Sequence, residues 1–234
     1  MAEKSLTKLD WDALAARLDQ SGFATTPPLL TPAECRTLIT LYGEADRFRR
    51  RIVMQHHGYG QGEYQYFAYP LPTTVAKLRE AFYARLAPLA NRWGEALTEE
   101  RRFPPALEDF LAECHGAGQT RPTPLMLKYG PGDYNRLHQD LYGAHVFPLQ
   151  LTILLSDPAT DFTGGEFVLT EQRPRQQSRV EVVPLRQGEV VIFAVHHRPA
   201  KGSRGVYRAN LRHGVSTLRG GERFTLGIIF HDAT

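Results

Sequence analysis

From Pro122 to the C-terminus the chain consists almost entirely of strand-length apolar segments cut by Gly, Pro and Asp turns, and this limits its fold more than any other feature. The segments are TPLMLKY, FPLQLTILLSD, GEFVLTE, RVEVVPL, EVVIFAV, LRHGVSTL and RFTLGIIFHD. Each is rich in the β-branched and aromatic residues that fit a pleated surface. Seven or so short strands at this spacing indicate a sandwich or barrel of the jelly-roll type.

The first half has a different texture. Leu9, Trp11, Leu14, Ala15 and Leu18 recur with helical period, and Gly22 ends that run. GFATTPPLL reads as a short extended segment leading to Thr31-Pro32-Ala33-Glu34, a capping box with proline at the first helical position, which opens a helix through about Tyr42. Residues 74–98 are the longest helix candidate, with Val75, Leu78, Phe82, Leu86, Leu89, Trp93 and Leu97 on one face. Pro88 within it predicts a kink or a break. Pro104-Pro105 starts a further helix, ALEDFLAECHG. RIVMQHH and EYQYFAYPLP read as strands or extended segments around a glycine-rich HHGYGQGE. The expected class is therefore α+β, with a jelly-roll (double-stranded β-helix) core behind an N-terminal helical layer. Residues 1–118 form the helix-rich supporting region, and residues 119–234 form the catalytic core.

Composition narrows the function classes. With 42% hydrophobic and 23% charged residues the chain matches an ordinary soluble globular protein. No apolar run approaches the roughly 18 residues of a membrane helix. The opening MAEKSLTKLDWDALAARL has acidic residues and no unbroken apolar stretch, unlike a secretory signal, so a cytoplasmic location is expected. Cys35 and Cys114 are far apart, which argues against a disulfide scaffold or a zinc knuckle. Net charge is +3, divided as −3 over residues 1–170 and +6 over residues 171–234. A basic C-terminal part draws anionic substrates toward any site it contains.

That site is signalled by His138-Gln139-Asp140, followed by His213 and then by Arg223-Phe224-Thr225. Side chains at i and i+2 of a strand share a face, so His138 and Asp140 can reach one ion while Gln139 points elsewhere. Two imidazoles and a carboxylate with open positions suit Fe(II), and no nearby thiolate favours zinc. His145, His196, His197 and His231 compete for the third position. His213 is preferred because it precedes Gly214-Val215 and stands ahead of an arginine that opens an apolar strand. His196 and His197, at the end of EVVIFAV, are read as lining the mouth or packing locally. Arg223 offers a bidentate partner for the far carboxylate of a dicarboxylic co-substrate.

LMLKYGPGDYNRLHQD, with GGEF at 164–167, GEVVIF at 188–193, RHGV at 212–215 and GERFTLGIIF at 221–230, resembles the 2-oxoglutarate and Fe(II)-dependent oxygenase superfamily. SGFATTPPLLTPAECRTLI is similar to the entry segment of its prolyl-hydroxylase-like members. The spelling around Tyr129 and His138 is similar to alkylated-DNA repair dioxygenases, with Leu127 departing from the asparagine found there. Nearly the whole chain resembles a little-characterised bacterial family for which nucleic-acid oxidation has been suggested. The resemblance implies that His138, Asp140 and His213 bind Fe(II), that Arg223 pairs with the distal carboxylate of 2-oxoglutarate, and that Thr225 and Tyr129 add hydrogen bonds to it. It also implies O2 as oxidant, ascorbate as an optional reductant, and decarboxylation of 2-oxoglutarate to succinate coupled to hydroxylation of a substrate C–H.

The substrate readings divide. A nucleic-acid base is suggested by Arg47-Phe48-Arg49-Arg50-Arg51, by Tyr59, Tyr64, Tyr66, Phe67 and Tyr69, and by the basic stretches Arg173–Arg179 and Arg198–Arg204. Against it, EYQYFAY can simply bury an aromatic face, and RFRRR can be a solvated turn. A protein prolyl residue or a small molecule is the competing substrate. A non-enzymatic cupin-like binder would need an H-x-H with a following glutamate, which is absent. The sequence leaves oligomeric state open.

Overall fold

Two antiparallel sheets face each other in the computed structural model, which describes residues 6–203 and 205–234. Arg204 and residues 1–5, the start of the segment read as lacking a secretory signal, lie outside the described residues.

Helix α1 (Trp11–Ser21) is capped by the Asp10 carboxylate, which accepts from Ala13 N, and ends on Gly22 at φ 78°. Helix α2 (Pro32–Leu41) has the expected capping box: Thr31 Oγ1 accepts from Glu34 N, and the Glu34 carboxylate accepts from Thr31 N. Helix α3 (Thr73–Ala96) buries Val75, Leu78, Phe82, Leu86, Leu89 and Trp93, and helix α4 (Leu107–Gly116) buries Leu107, Phe110 and Cys114. Contrary to the expected break, α3 continues through Pro88. Pro88 and Ala84 both lie on the exposed side, so the Ala84 carbonyl that loses its donor can turn to water.

The larger sheet runs in the order β1 (Phe23–Thr25), β11 (Val190–Ala194), β7 (Leu149–Leu154), β15 (Arg223–Ile228), β5 (Leu125–Tyr129), β4 (Glu63–Phe67), β2 (Phe48–Val53). The facing sheet runs β10 (Arg179–Val183), β9 (Phe167–Gln172), β13 (Gly205–Val215), β6 (Tyr134–His138), β3 (Gly60–Gln61), and β12 (His197–Gly202) pairs with the outer part of β13. A ribbon joins β8 (Phe162–Gly164) to β14 (Leu218–Gly221). Residues 1–118 thus supply helices and also strands β1–β4.

Helices cover one face of the larger sheet and the second sheet covers the other, so β11 and β15 are buried at every position. That double burial is why VVIFA reads as a continuous apolar run, with no alternation. Between the sheets, Leu154, Val191 and Phe193 of one pack with Phe167, Leu169, Val183 and Val215 of the other.

Three local expectations change. Arg49-Arg50-Arg51 lies in β2 at the edge of the larger sheet, where pairing with β4 holds it extended, and is not a solvated turn. Met54–His57 is a 3-10 turn closed by Gly58 at φ 70°, so the strand in RIVMQHH stops at Val53. The stretch around Arg198 is one arm of the β12–β13 hairpin, with the Arg198 side chain buried against Glu171 at 2.6 Å.

Candidate metal centre

Strands β6 and β13 are antiparallel neighbours, and their register sets His138 directly opposite His213. Residues so paired present their side chains to the same face within contact range, and the two imidazole centroids are 4.2 Å apart. Gly214 permits this approach: a Cβ there would lie 2.7 Å from the Asn135 carbonyl of β6. Strand β6 ends at His138, and Asp140 follows it. Gln139 turns away, donating to the carbonyls of Leu211 (2.7 Å) and His196 (3.2 Å) and so tying the segment to β13. Asp140 then lies with one oxygen 3.6 Å from His138 Nε2 and the other 3.3 Å from His213 Nε2. One ligand-type atom from each residue falls within 4.8 Å of the others, and among the described residues no other group of three or more His, Cys, Asp or Glu does so.

The electrostatics suit a divalent ion. His138 Nδ1 lies 2.7 Å from the Arg136 carbonyl, which can only accept, so the neutral ring carries its proton there and turns the Nε2 lone pair toward Asp140. Burial, and then the neighbouring His138, push the His213 imidazole below its ordinary value against the pull of Asp140. Burial opposes ionisation of Asp140. The His213 hydrogen bond, both imidazoles and the Gln150 amide outweigh it and hold the carboxyl well below the usual carboxylate range. The donor set is therefore two imidazole nitrogens and an anionic oxygen, which fits Fe(II).

The other candidate histidines lie elsewhere. His197 contacts Glu99 (3.1 Å) and His196 (3.0 Å). His231 is buried, with Nδ1 accepting from Phe147 N. His145 is held by its backbone to Gln119.

Tyr129, Arg223 and Thr225 line the same cavity as the three clustered residues, a space of about 560 Å³. Strand register pairs Arg223 with Tyr129 and Thr225 with Leu127, so Arg223 and Thr225 share a face. Arg223 is 2% exposed, and its Nε and Nη1 have no hydrogen-bond partner. Its guanidinium lies 5.6 Å from the Tyr129 ring centroid and 5.8 Å from that of Phe162. Burial pushes Arg223 down to about 10 against the pull of Tyr129 and Glu166, so it remains a cation at neutral pH. Burial pushes the Tyr129 hydroxyl up to about 12, with Arg223 and Asn135 opposing, and it makes no hydrogen bond of good geometry. A buried cation without a counter-ion is costly. Here it has the chemistry of half a carboxylate clamp.

Two residues at the cluster escape sequence reasoning. The Gln150 amide donates to Asp140 at 2.8 Å and lies 3.3 Å from His213 Nε2, and the Tyr142 hydroxyl donates to Asp140 at 2.7 Å. Gln150 had a signal, a lone amide in the apolar run FPLQLTIL, whereas Tyr142 had none. Groups that orient a ligand carboxylate are worth about 10–100-fold in metal affinity. Gln150→Leu is expected to weaken Mn(II) binding by about that factor in a calorimetric titration, and unchanged affinity would reduce Gln150 to packing.

A family model for oxygenases, described as catalysing oxidative methylation of damaged DNA, matches residues 62–233. The chain belongs to this oxygenase family. It is 54% identical over 167 residues to uncharacterized proteins from two strains of Mycobacterium tuberculosis, covering 71% of this chain and 72% of theirs. Among solved structures it is similar to an oxidoreductase of the 2OG-Fe(II) oxygenase family from Burkholderia pseudomallei (TM-score 0.55, 16% identity, 97% of this chain and 94% of that one). It is also similar to a prolyl-4-hydroxylase from Pseudomonas putida (TM-score 0.52, 15% identity, 93% and 96%). The architecture is thus α+β with the double-stranded β-helix core of these oxygenases. The protein is an oxidoreductase, and its family and fold imply Fe(II), 2-oxoglutarate and O2. No helix among the described residues is long and apolar enough to cross a membrane.

Proposed function

We propose that the protein is a 2-oxoglutarate- and Fe(II)-dependent dioxygenase that hydroxylates a base of a nucleic acid. His138, Asp140 and His213 hold the iron, and Arg223 takes the distal carboxylate of 2-oxoglutarate, with the Thr225 and Tyr129 hydroxyls as further donors. The observation that carries this reading is the buried Arg223 guanidinium, with Nε and Nη1 unpartnered, in the same cavity as the His–Asp–His cluster. Iron with 2-oxoglutarate and O2 supplies the oxidant and leaves succinate, CO2 and a hydroxylated substrate. The chain orients these reactants, keeps Asp140 anionic and excludes bulk water, with Phe167 and Phe193 packed around the His213 ring.

Two observations support the nucleic-acid substrate. The family description names DNA. The cavity lining includes Arg49, Arg50, Arg121 and Arg136, and among the described residues Asp140 is its only carboxylate side chain. The aromatic run splits by strand face: Tyr64 and Tyr66 line the cavity, Phe67 is in the core, and the Tyr69 hydroxyl bonds Asp232. Both cysteines are buried free thiols, in keeping with a cytoplasmic site of action. The test is succinate release with Fe(II), 2-oxoglutarate and O2 over a panel of N-methylated oligonucleotides, proline-containing peptides and small metabolites. Stimulation by the oligonucleotides is expected. Stimulation by peptides or metabolites alone would overturn the substrate, and no succinate under any condition would overturn the reaction.

A further inference from the structure

The exposed part of the cavity lining carries a second set of groups that the oxygen chemistry does not use. Arg50, Arg121 and Arg136 are exposed there and have no acidic partner among the described residues. Elsewhere Arg47, Arg51, Arg173, Arg179 and Arg198 are each matched with a glutamate. Tyr59 is 50% exposed and lines the same cavity, its ring stacked on His57 at 5.3 Å between centroids and 19° between planes. The backbone beneath is fixed. Tyr59 N donates to Met54 O, Arg136 N donates to Tyr59 O at 2.9 Å, and Gly60 presses so closely on β6 that a Cβ would lie 2.2 Å from the Tyr134 carbonyl. Residues 49–59 precede the segment that the family model matches.

Resting on the nucleic-acid reading above, we propose that the Tyr59–His57 stack is a platform for a base flanking the reacting one. Arg50, Arg121 and Arg136 hold the adjoining phosphates, and the DNA engaged is single-stranded. A pre-fixed aromatic face takes any base and loses little freedom on doing so. His213 and Asp140 are 7% and 8% exposed, so the reacting base must leave its stack to reach them. In a duplex that step also breaks a base pair, whereas in a single strand it does not. The three exposed arginines span a few phosphates, fewer than the roughly 6–10 that a strongly salt-dependent duplex binder neutralises.

The experiment is fluorescence anisotropy of the full chain, iron-free, with a labelled ten-nucleotide DNA carrying one N-methylated base, as single strand and as duplex. The single strand is expected to bind at least tenfold more tightly, with affinity falling with salt at a log–log slope of about −2, from three phosphate contacts. Tyr59→Ala is expected to weaken it about tenfold, and Tyr59→Trp, which keeps the aromatic face, to retain it. Arg136→Glu should flatten the salt slope. Equal affinity for duplex, an unaffected Tyr59→Ala variant, or equal competition by a poly-glutamate peptide would each overturn the platform while DNA-stimulated succinate release still stood. No binding of either form at low salt, together with no stimulation of succinate release by DNA, would instead remove the nucleic-acid reading itself.

Discussion

Arg223→Met is expected to abolish useful 2-oxoglutarate binding while leaving the ligand-free protein at least as stable as the parent. The two effects come from the same atoms. Arg223 is 2% exposed, with two of its guanidinium nitrogens unpartnered. Removing the cation from a buried charge pair costs about 2–5 kcal/mol, or roughly thirty- to several-thousand-fold in affinity. In the ligand-free fold Arg223 has no ion pair to break among the described residues, and Glu166 acts on it only from beyond ion-pair distance. Burial lowers the group from its ordinary 12.5 to about 10. That depression corresponds to a penalty on the order of 3 kcal/mol at neutral pH, where both folded and unfolded states hold the proton. Because the unfolded chain binds the proton more tightly, the penalty fades only as pH rises from about 10 toward 12.5. Methionine removes it at every pH, and the space left by the shorter side chain offsets part of the gain. Thermal melting with and without 2-oxoglutarate reads both quantities. A variant that melts well below the parent and still binds 2-oxoglutarate would show Arg223 to be structural.

His213→Ala is expected to lose iron-dependent succinate formation down to background, and His197→Ala to keep it. His213 contributes a nitrogen 3.3 Å from Asp140, opposite His138 across the strand pair. His197 is engaged with Glu99 and His196. Loss of a direct donor should weaken Co(II) or Mn(II) binding by more than the roughly 10–100-fold that a supporting group is worth. Metal titration with far-UV circular dichroism separates this from misfolding. Retained turnover in His213→Ala with loss in His197→Ala would reassign the third ligand.

Local features were legible where local forces decide them. The capping box at Thr31 and Glu34 forms because its partners are three residues apart. The strand-rich half folds as two sheets because alternating and doubly buried apolar segments have few other ways to leave water. Pro88 does not break α3 because its helical cost depends on which face it occupies, and the face depends on what α3 packs against. Arg198 opens a stretch whose basic residues suggest contact with nucleic acid, yet it is buried because Glu171 of β9 meets it through a shared neighbour, β13.

The candidate site divides the same way. The residue types were enough to propose a donor set and a clamp, because ligand chemistry belongs to the chain itself, whereas the strand period carries only as far as His138, where β6 ends before Asp140. Which histidine of the later strands faces Asp140, that Gln150 and Tyr142 hold both carboxylate oxygens, and that Arg223 is left without a counter-ion were decided only in three dimensions. Each depends on register between strands far apart in sequence, and a slip of one residue would turn every one of those side chains to the opposite face.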